Sequence, residues 1–158
     1  MEVKAASRAI LDGMKSIQLA PNEYLLVFTD PDPDDVIAAI NTFAAEYNIA
    51  SGRLQAVGSV QSAMLAWWNN ETKAVEKYPA EGQFEVVSFL GNLATPAADN
   101  CQRVHVHAVL AGPGGTLIGG HVVSMIVRAS LEVSLTAFDV SVTRAFNSAF
   151  NLCTIELP

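Results

Sequence analysis

The sequence predicts a single α+β domain with a largely antiparallel sheet and one main helix. Three observations carry that prediction. One segment, from Val36 to about Asn48, has helical periodicity, with Val36, Ile37, Ile40, Phe43 and Tyr47 on one face. From Gly52 almost to the end, runs rich in Val, Leu and Ile alternate with turn residues. No repeat, low-complexity segment or linker divides the chain, and 158 residues suit one domain. The expected division is an N-terminal arm over 1–14 and a domain over 15–158.

In chain order, "KSIQLAP" and "YLLVFTD" read as strands. "DPDPDD" then makes a turn and a helix start, with Asp32 expected as N-cap and Pro33 at the first helical position. Asp34 and Asp35 fall in the first turn, where they complement the helix dipole. No further carboxylate follows at calcium-loop spacing, so capping explains these acids better than metal binding. "LQAVGSVQSAMLAWWN" is a strand with a bulge or bend at Gly58, and "NNETKAVEKY" is a turn between strands. "QFEVVSFLGNLA", "VHVHAVLA", "GTLIGGHVVSMIV" and "LEVSLTAF" are further β runs, and the tail is expected to hold a short helical turn and a last strand. Adjacent in a strand, Trp67 and Trp68 point to opposite faces. One is expected in the core, the other against a neighbouring subunit or a ligand pocket.

The chain is 51% hydrophobic and 16% charged, which for a soluble protein points to strands buried on both faces, a subunit interface, or both. No apolar run approaches the ~18 residues of a membrane helix. The nearest, "HVVSMIVRASLEV", is broken by Arg128 and Glu132. The N-terminal segment lacks the apolar core of a signal peptide, being interrupted by Asp12 and Lys15, so the expected location is cytoplasmic. Cys101 and Cys153 suit free thiols in that setting, with a disulfide the less expected alternative. Nine basic residues against sixteen acidic ones give a net charge of -7, and no Lys/Arg cluster offsets it. Such a field repels a polyanion, so nucleic-acid binding is not expected and no nucleic-acid-binding residues are assigned.

All three histidines lie in "HVHAVLAGPGGTLIGGH", from His105 to His121. On a strand, His105 and His107 share a face. A three-residue loop at Pro113–Gly115 would pair Gly112 with Thr116 and set His107 directly across from His121, with His105 diagonal to it. A two-residue loop would place His121 on the other face unless a bulge intervened. Three imidazoles without a fourth protein ligand form an open site, as in catalytic zinc centres. Copper, nickel and iron also suit imidazole, so one divalent ion per chain is expected, with zinc the usual occupant. Cys101 as a fourth ligand would close the site and make it structural. Packed or solvated histidines are the bland alternative. "AGPGG" lacks the lysine of a phosphate-binding loop and joins two strands, so it reads as a turn. Gly119 and Gly120 admit either another backbone or a ligand close to the strand.

"GQFEVVSFLGNLA", "HVHAVLAGPGGTLIGGHVV" and "ASLEVSL" together resemble the plant-and-prokaryote conserved (PPC) domain, a domain of unknown function. The resemblance spans roughly residues 15 to 155. Its more specific marks are the paired histidines, the double glycine before His121, and Ser88, Gly91 and Asn92 of "S-x-x-G-N". Near residues 21–32 the chain departs from the family's usual "PGE". The resemblance implies an α+β homotrimer in which His105, His107 and His121 form a metal site. Plant members carry AT-hooks that bind the DNA minor groove; this chain has no Arg-Gly-Arg-Pro hook.

Two functional readings follow. In the first, the ion polarises a carbonyl or activates water in a metal-dependent enzyme, or anchors a small molecule. Glu132, in the "LEV" shared with the family, is then the first candidate acid or base and Glu85 the second, unless either is merely solvated or orients a histidine. Asn92 would hydrogen-bond a ligand in the pocket, or cap a turn. In the second reading the trimer is a DNA-associated or protein-interaction module and its metal is structural. No nucleophile and base pair stands out, so the sequence assigns no reaction.

Overall fold

The structure, a computed structural model, describes residues 8–11, 14–30 and 35–157, with side chains from residue 14 onward. The elements in chain order are β1 (Arg8–Leu11), β2 (Met14–Ala20), β3 (Glu23–Thr29), α1 (Val36–Glu46), β4 (Gly52–Asn69), β5 (Ala74–Leu93), β6 (Thr95–Pro96), β7 (Val104–Ala111), β8 (Leu117–Ala137), β9 (Thr143–Asn147) and β10 (Leu152–Glu156). This is the expected mostly antiparallel sheet with one helix. Seven strands form the main sheet in the order β1-β2-β3-β8-β4-β5-β7, and β7 pairs back onto β8. The β8-β4-β5-β7 part therefore closes on itself. β9 lies between β10 and β6 in a small second sheet, parallel to β6.

β8 organises the molecule. Along one edge it carries β4; along the other it carries β3 near Ser130–Thr136 and β7 near Leu117–His121. α1 packs where that second edge is interrupted. Asp35 Oδ1 accepts the Ile37 N–H at 3.2 Å as the helix N-cap, and also the Met125 N–H at 2.9 Å on β8. One carboxylate thus starts the helix and satisfies the exposed sheet edge, two groups that would otherwise be left without partners. The expected caps Asp32 and Pro33 lie outside the described residues; within them, Asp35 is the cap rather than a first-turn acid. The helix ends at Glu46, before the expected Asn48, because Asn48 turns left-handed (φ 54). There the Ile49 N–H reaches Ala44 O at 2.8 Å and the Asn48 N–H reaches Ala45 O at 3.2 Å, closing the last turn. The apolar face of α1 (Val36, Ile40 and Phe43) is buried with Leu26, Phe28, Leu65, Met125 and Val127 in one core.

Several expectations are corrected. The second half of "NNETKAVEKY", expected as a turn, is strand: β5 starts at Ala74 and continues through the β run expected from Gln83, while the strands expected on either side of Arg128 form one continuous β8. Breaks in apolar pattern are absorbed as bulges instead of turns: register shifts fall at Gly58 on β4, opposite the stretch of β8 where Ala129 is left-handed (φ 62). The tail holds the β9–β10 hairpin in place of a helical turn and one strand. Neither tryptophan is in the core; Trp67 is 51% exposed and Trp68 is half-buried, because the β4–β5 ribbon runs past the edge of the core there. Cys101 and Cys153 form a disulfide. That pairing replaces the free thiols expected for a reducing compartment, and it rules out Cys101 as a thiolate ligand. No helix among the described residues is long and apolar enough to cross a membrane.

Candidate metal centre

The site is built on the β7–β8 hairpin. Gly112 N–H donates to Thr116 O at 2.8 Å across the turn Pro113–Gly115. Gly114 (φ 71) and Gly115 (φ 79) supply the left-handed conformations that this turn requires. The register is then His107↔His121, Ala108↔Gly120, Val109↔Gly119, Leu110↔Ile118 and Ala111↔Leu117. This is the three-residue-loop register expected from the sequence. On β7, Val104, Val106, Ala108 and Leu110 are buried in the core, so strand alternation turns His105 and His107 to the opposite face.

The three imidazoles converge. Their ligand atoms all lie within 4.8 Å of one another. The ring centroids are 5.1 Å apart for His105–His107 and His105–His121, and 5.6 Å for His107–His121. The Nε2 atoms of His105 and His107 stand 3.2 Å apart. Two nitrogens bound tetrahedrally at ~2.05 Å to one zinc ion are separated by ~3.3 Å, so this pair already has the spacing of metal ligands. The donor set fits a divalent transition metal with an open coordination position.

The surroundings favour the neutral form of His105 and His121. Burial lowers the pKa of His105 to about 4, with further lowering by the charges of Arg144, His121 and His107. Burial also lowers His121, assisted by His107 and Arg144. Metal binding requires neutral imidazole, so the site pays no proton-release penalty at these two residues near neutrality. Arg144 is the functional neighbour that sequence reasoning missed. It is 1% exposed, on β9, where the two-residue alternation of "TRAFN" gives no cue to a charged side chain pointing inward. Its Nη2 donates to Asn92 Oδ1 and its Nη1 to Gln102 O at 3.2 Å. Among the described residues the one salt bridge joins Arg128 to Asp30, so Arg144 is a buried cation held by neutral oxygens.

The histidines open onto a cavity of about 1010 Å³. Its floor follows from a single row of the sheet. Lys77 opposes Ala66, Ala66 opposes His121, and His121 opposes His107, so the side chains of β5, β4, β8 and β7 in that row share a face. Trp68, Val75 and Val123 lie two residues along from members of the row and line the same cavity. Phe146, Leu152 and Cys153 of the β9–β10 hairpin close it from the other side, and the disulfide ties that hairpin to the segment leading into β7. The double glycine serves close packing: Tyr78 Oη donates to Gly119 O at 2.7 Å, and a Cβ at Gly120 would meet Tyr78 Oη at 2.4 Å and Ala66 O at 2.8 Å.

Of the other expected site residues, Asn92 is brought to the centre. It opposes His105 on β5 and holds Arg144, a role distinct from capping a turn. Glu85 is exposed, opposite Ala111 and Ser59, at the far end of β7 from the histidines. Glu132 is also exposed; it opposes Val27 and Val57 and lines a separate depression with Val87 and Leu90. Neither carboxylate lines the histidine cavity.

A model of the Plants and Prokaryotes Conserved (PCC) domain matches residues 23–139. Among solved structures, a metal-containing protein from Archaeoglobus fulgidus is similar at TM-score 0.73 and 26% identity, covering 85% of this chain and 93% of that one. A plant- and prokaryote-conserved (PPC) protein from Pyrococcus horikoshii aligns at TM-score 0.74 and 18% identity, over 100% of this chain and 98% of its own. A protein from Bacteroides thetaiotaomicron provisionally named as DNA-binding aligns at TM-score 0.78 and 20% identity, over 96% of each chain. No curated protein matches the chain in sequence.

Proposed function

This chain belongs to the Plants and Prokaryotes Conserved domain family, and from that premise we propose that His105, His107 and His121 hold one divalent metal ion, zinc by donor chemistry, which serves as an open Lewis-acid centre for a small molecule. The observation that carries this reading is the convergence of three imidazoles, within 4.8 Å, on the floor of a cavity of about 1010 Å³. A metal buried for structural support alone would be sealed by four protein ligands, and the group here contains three. The metal-containing relative from Archaeoglobus fulgidus supports the same reading. When bound, the ion supplies polarisation of a carbonyl or activation of water. The chain's own part is to favour the neutral form of His105 and His121, to fix the spacing of the three imidazoles through the hairpin register, and to wall the cavity with Trp68 and Phe146.

We further propose that the chain works as a homotrimer. Val57, Val87 and Leu90 are 60–62% exposed on neighbouring parts of β4 and β5, a concentration of apolar side chains that subunit packing would cover. Duplex DNA is an unfavoured partner for a chain of net charge -7, whatever name a structural relative carries. The test that separates an open site from a structural one is metal removal by a chelator, followed by circular dichroism and thermal melting. The open site predicts loss of the metal with the fold retained. Unfolding on chelation would show a structural metal and favour the interaction-module reading.

A further inference from the structure

The histidine cavity has a charge and a shape that select its ligand. The chain carries sixteen acidic residues, yet among the described residues no Asp or Glu lines this cavity. Its charged lining residue is Lys77, which occupies the same sheet row as His121 and His107, two strands from His121. Two strand spacings amount to ~10 Å, within which a lysine's long stem can bring its ammonium to a molecule seated on the metal. The other nearby ion, Arg144, is a second cation, buried with neutral oxygen partners only. Glu76, the acid next to Lys77, is turned to the other face of the ribbon, where it accepts from Trp67 Nε1 at 3.3 Å and from Asn69 Nδ2 at 2.6 Å. Of the remaining walls, Trp68, Val75, Val123, Phe146 and Leu152 form an apolar and aromatic part, and the polar side chains beside it (Asn41, Asn100, Gln102 and Asn151) are all neutral.

We infer that the cavity binds a small organic carboxylate with an apolar body, its carboxylate between the metal's open position and Lys77 and its body against Trp68 and Phe146. A positive pocket in an otherwise acidic protein excludes polyanions by the field of the whole and admits small anions by the field of the cavity. The apolar walls add affinity in proportion to the surface removed from water, so short carboxylates bind more weakly than those with a bulky body. This inference rests on the proposed metal site and names the ligand class for it.

The test uses the zinc-loaded full chain and the fluorescence of its two tryptophans, Trp68 in the cavity wall and Trp67 next to it in sequence. The probes are 3-phenylpropionate, its neutral amide, and acetate. The expected result is saturable binding of 3-phenylpropionate, with the amide and acetate each weaker by about tenfold or more. In Lys77→Glu, 3-phenylpropionate should weaken by about tenfold while the amide is unchanged, since only a charged partner feels the reversal. Equal binding of acid and amide, or a Lys77→Glu variant that binds the acid as well as the wild type, overturns the inference. A zinc titration on the same preparation separates the two claims. A chain that takes up zinc and ignores the carboxylate refutes the ligand class and leaves the metal site standing. A chain that takes up no zinc refutes the metal site and the carboxylate's seat upon it.

Discussion

Gly91→Ala tests whether the strand packing behind the histidines sets their position. Gly91 opposes Val106 on β7, between the two histidines of that strand. A Cβ there would lie 2.5 Å from His105 O, 2.6 Å from Val106 Cγ2 and 3.1 Å from Val106 Cα, where 3.4 Å is ordinary contact. The shortfall against His105 O is 0.9 Å, and two of the three neighbours are backbone atoms that no rotamer change can move. β7 must therefore shift as a strand. Overpacking of this kind costs about 1–3 kcal/mol, which for a chain of this size lowers Tm by about 2–12 °C. Metal ligands tolerate only ~0.2 Å of error, so a His105 backbone displaced by a larger amount should lose about 10–100-fold in zinc affinity, as indirect perturbations of metal ligands commonly do. Thermal melting and a competitive zinc titration measure both. A variant that melts within 1 °C of the wild type and binds zinc equally well would refute the claim that β5 backs the site.

Other perturbations have equally definite outcomes. In the metal-free protein, the native pKa of His105 is about 4 against 6.5 for an unperturbed histidine, so between those values the unfolded chain binds a proton that the native one does not. Stability should therefore fall as pH drops from 6.5 toward 4, with His121 adding in the same direction, and an NMR titration of the imidazole protons reads the native midpoint directly. Arg144→Met should raise the native pKa of His105 by removing a neighbouring positive charge, seen in the same titration, while leaving Asn92 Oδ1 and Gln102 O without that donor. Reducing the Cys101–Cys153 disulfide, which spans 52 residues of chain, should destabilise the protein by about 2–4 kcal/mol in a denaturant titration run with and without reductant.

The hairpin was legible in the sequence because two local rules act on it together. Alternation puts His105 and His107 on one face, and the parity of a three-residue loop returns His121 to that face; both rules need only residues 105–121. The helix was legible through its period, although its ends were set by tertiary events, Asp35 meeting Met125 across the sheet and Asn48 adopting a left-handed turn. Strand lengths were not legible. Arg128 and Glu132 look like interruptions of an apolar run, but they are outward positions of a long strand whose bulge at Ala129 resets its face. Arg144 was invisible for a different reason: its partners come from β5 and the loop before β7, and no local pattern encodes a contact between residues 92 and 144. The disulfide belongs to the same class, since a pair of cysteines 52 residues apart carries no geometric signal until the β9–β10 hairpin is placed.

The central claim is most directly tested by the metal content of untagged protein purified without added metal, measured by mass spectrometry beside His107→Ala. The structure predicts about one divalent ion per chain in the wild type, lost in a variant whose circular dichroism and oligomeric state are unchanged. A wild type that carries no metal and takes up no added zinc, or a variant that retains its full complement, would contradict a metal centre at His105, His107 and His121.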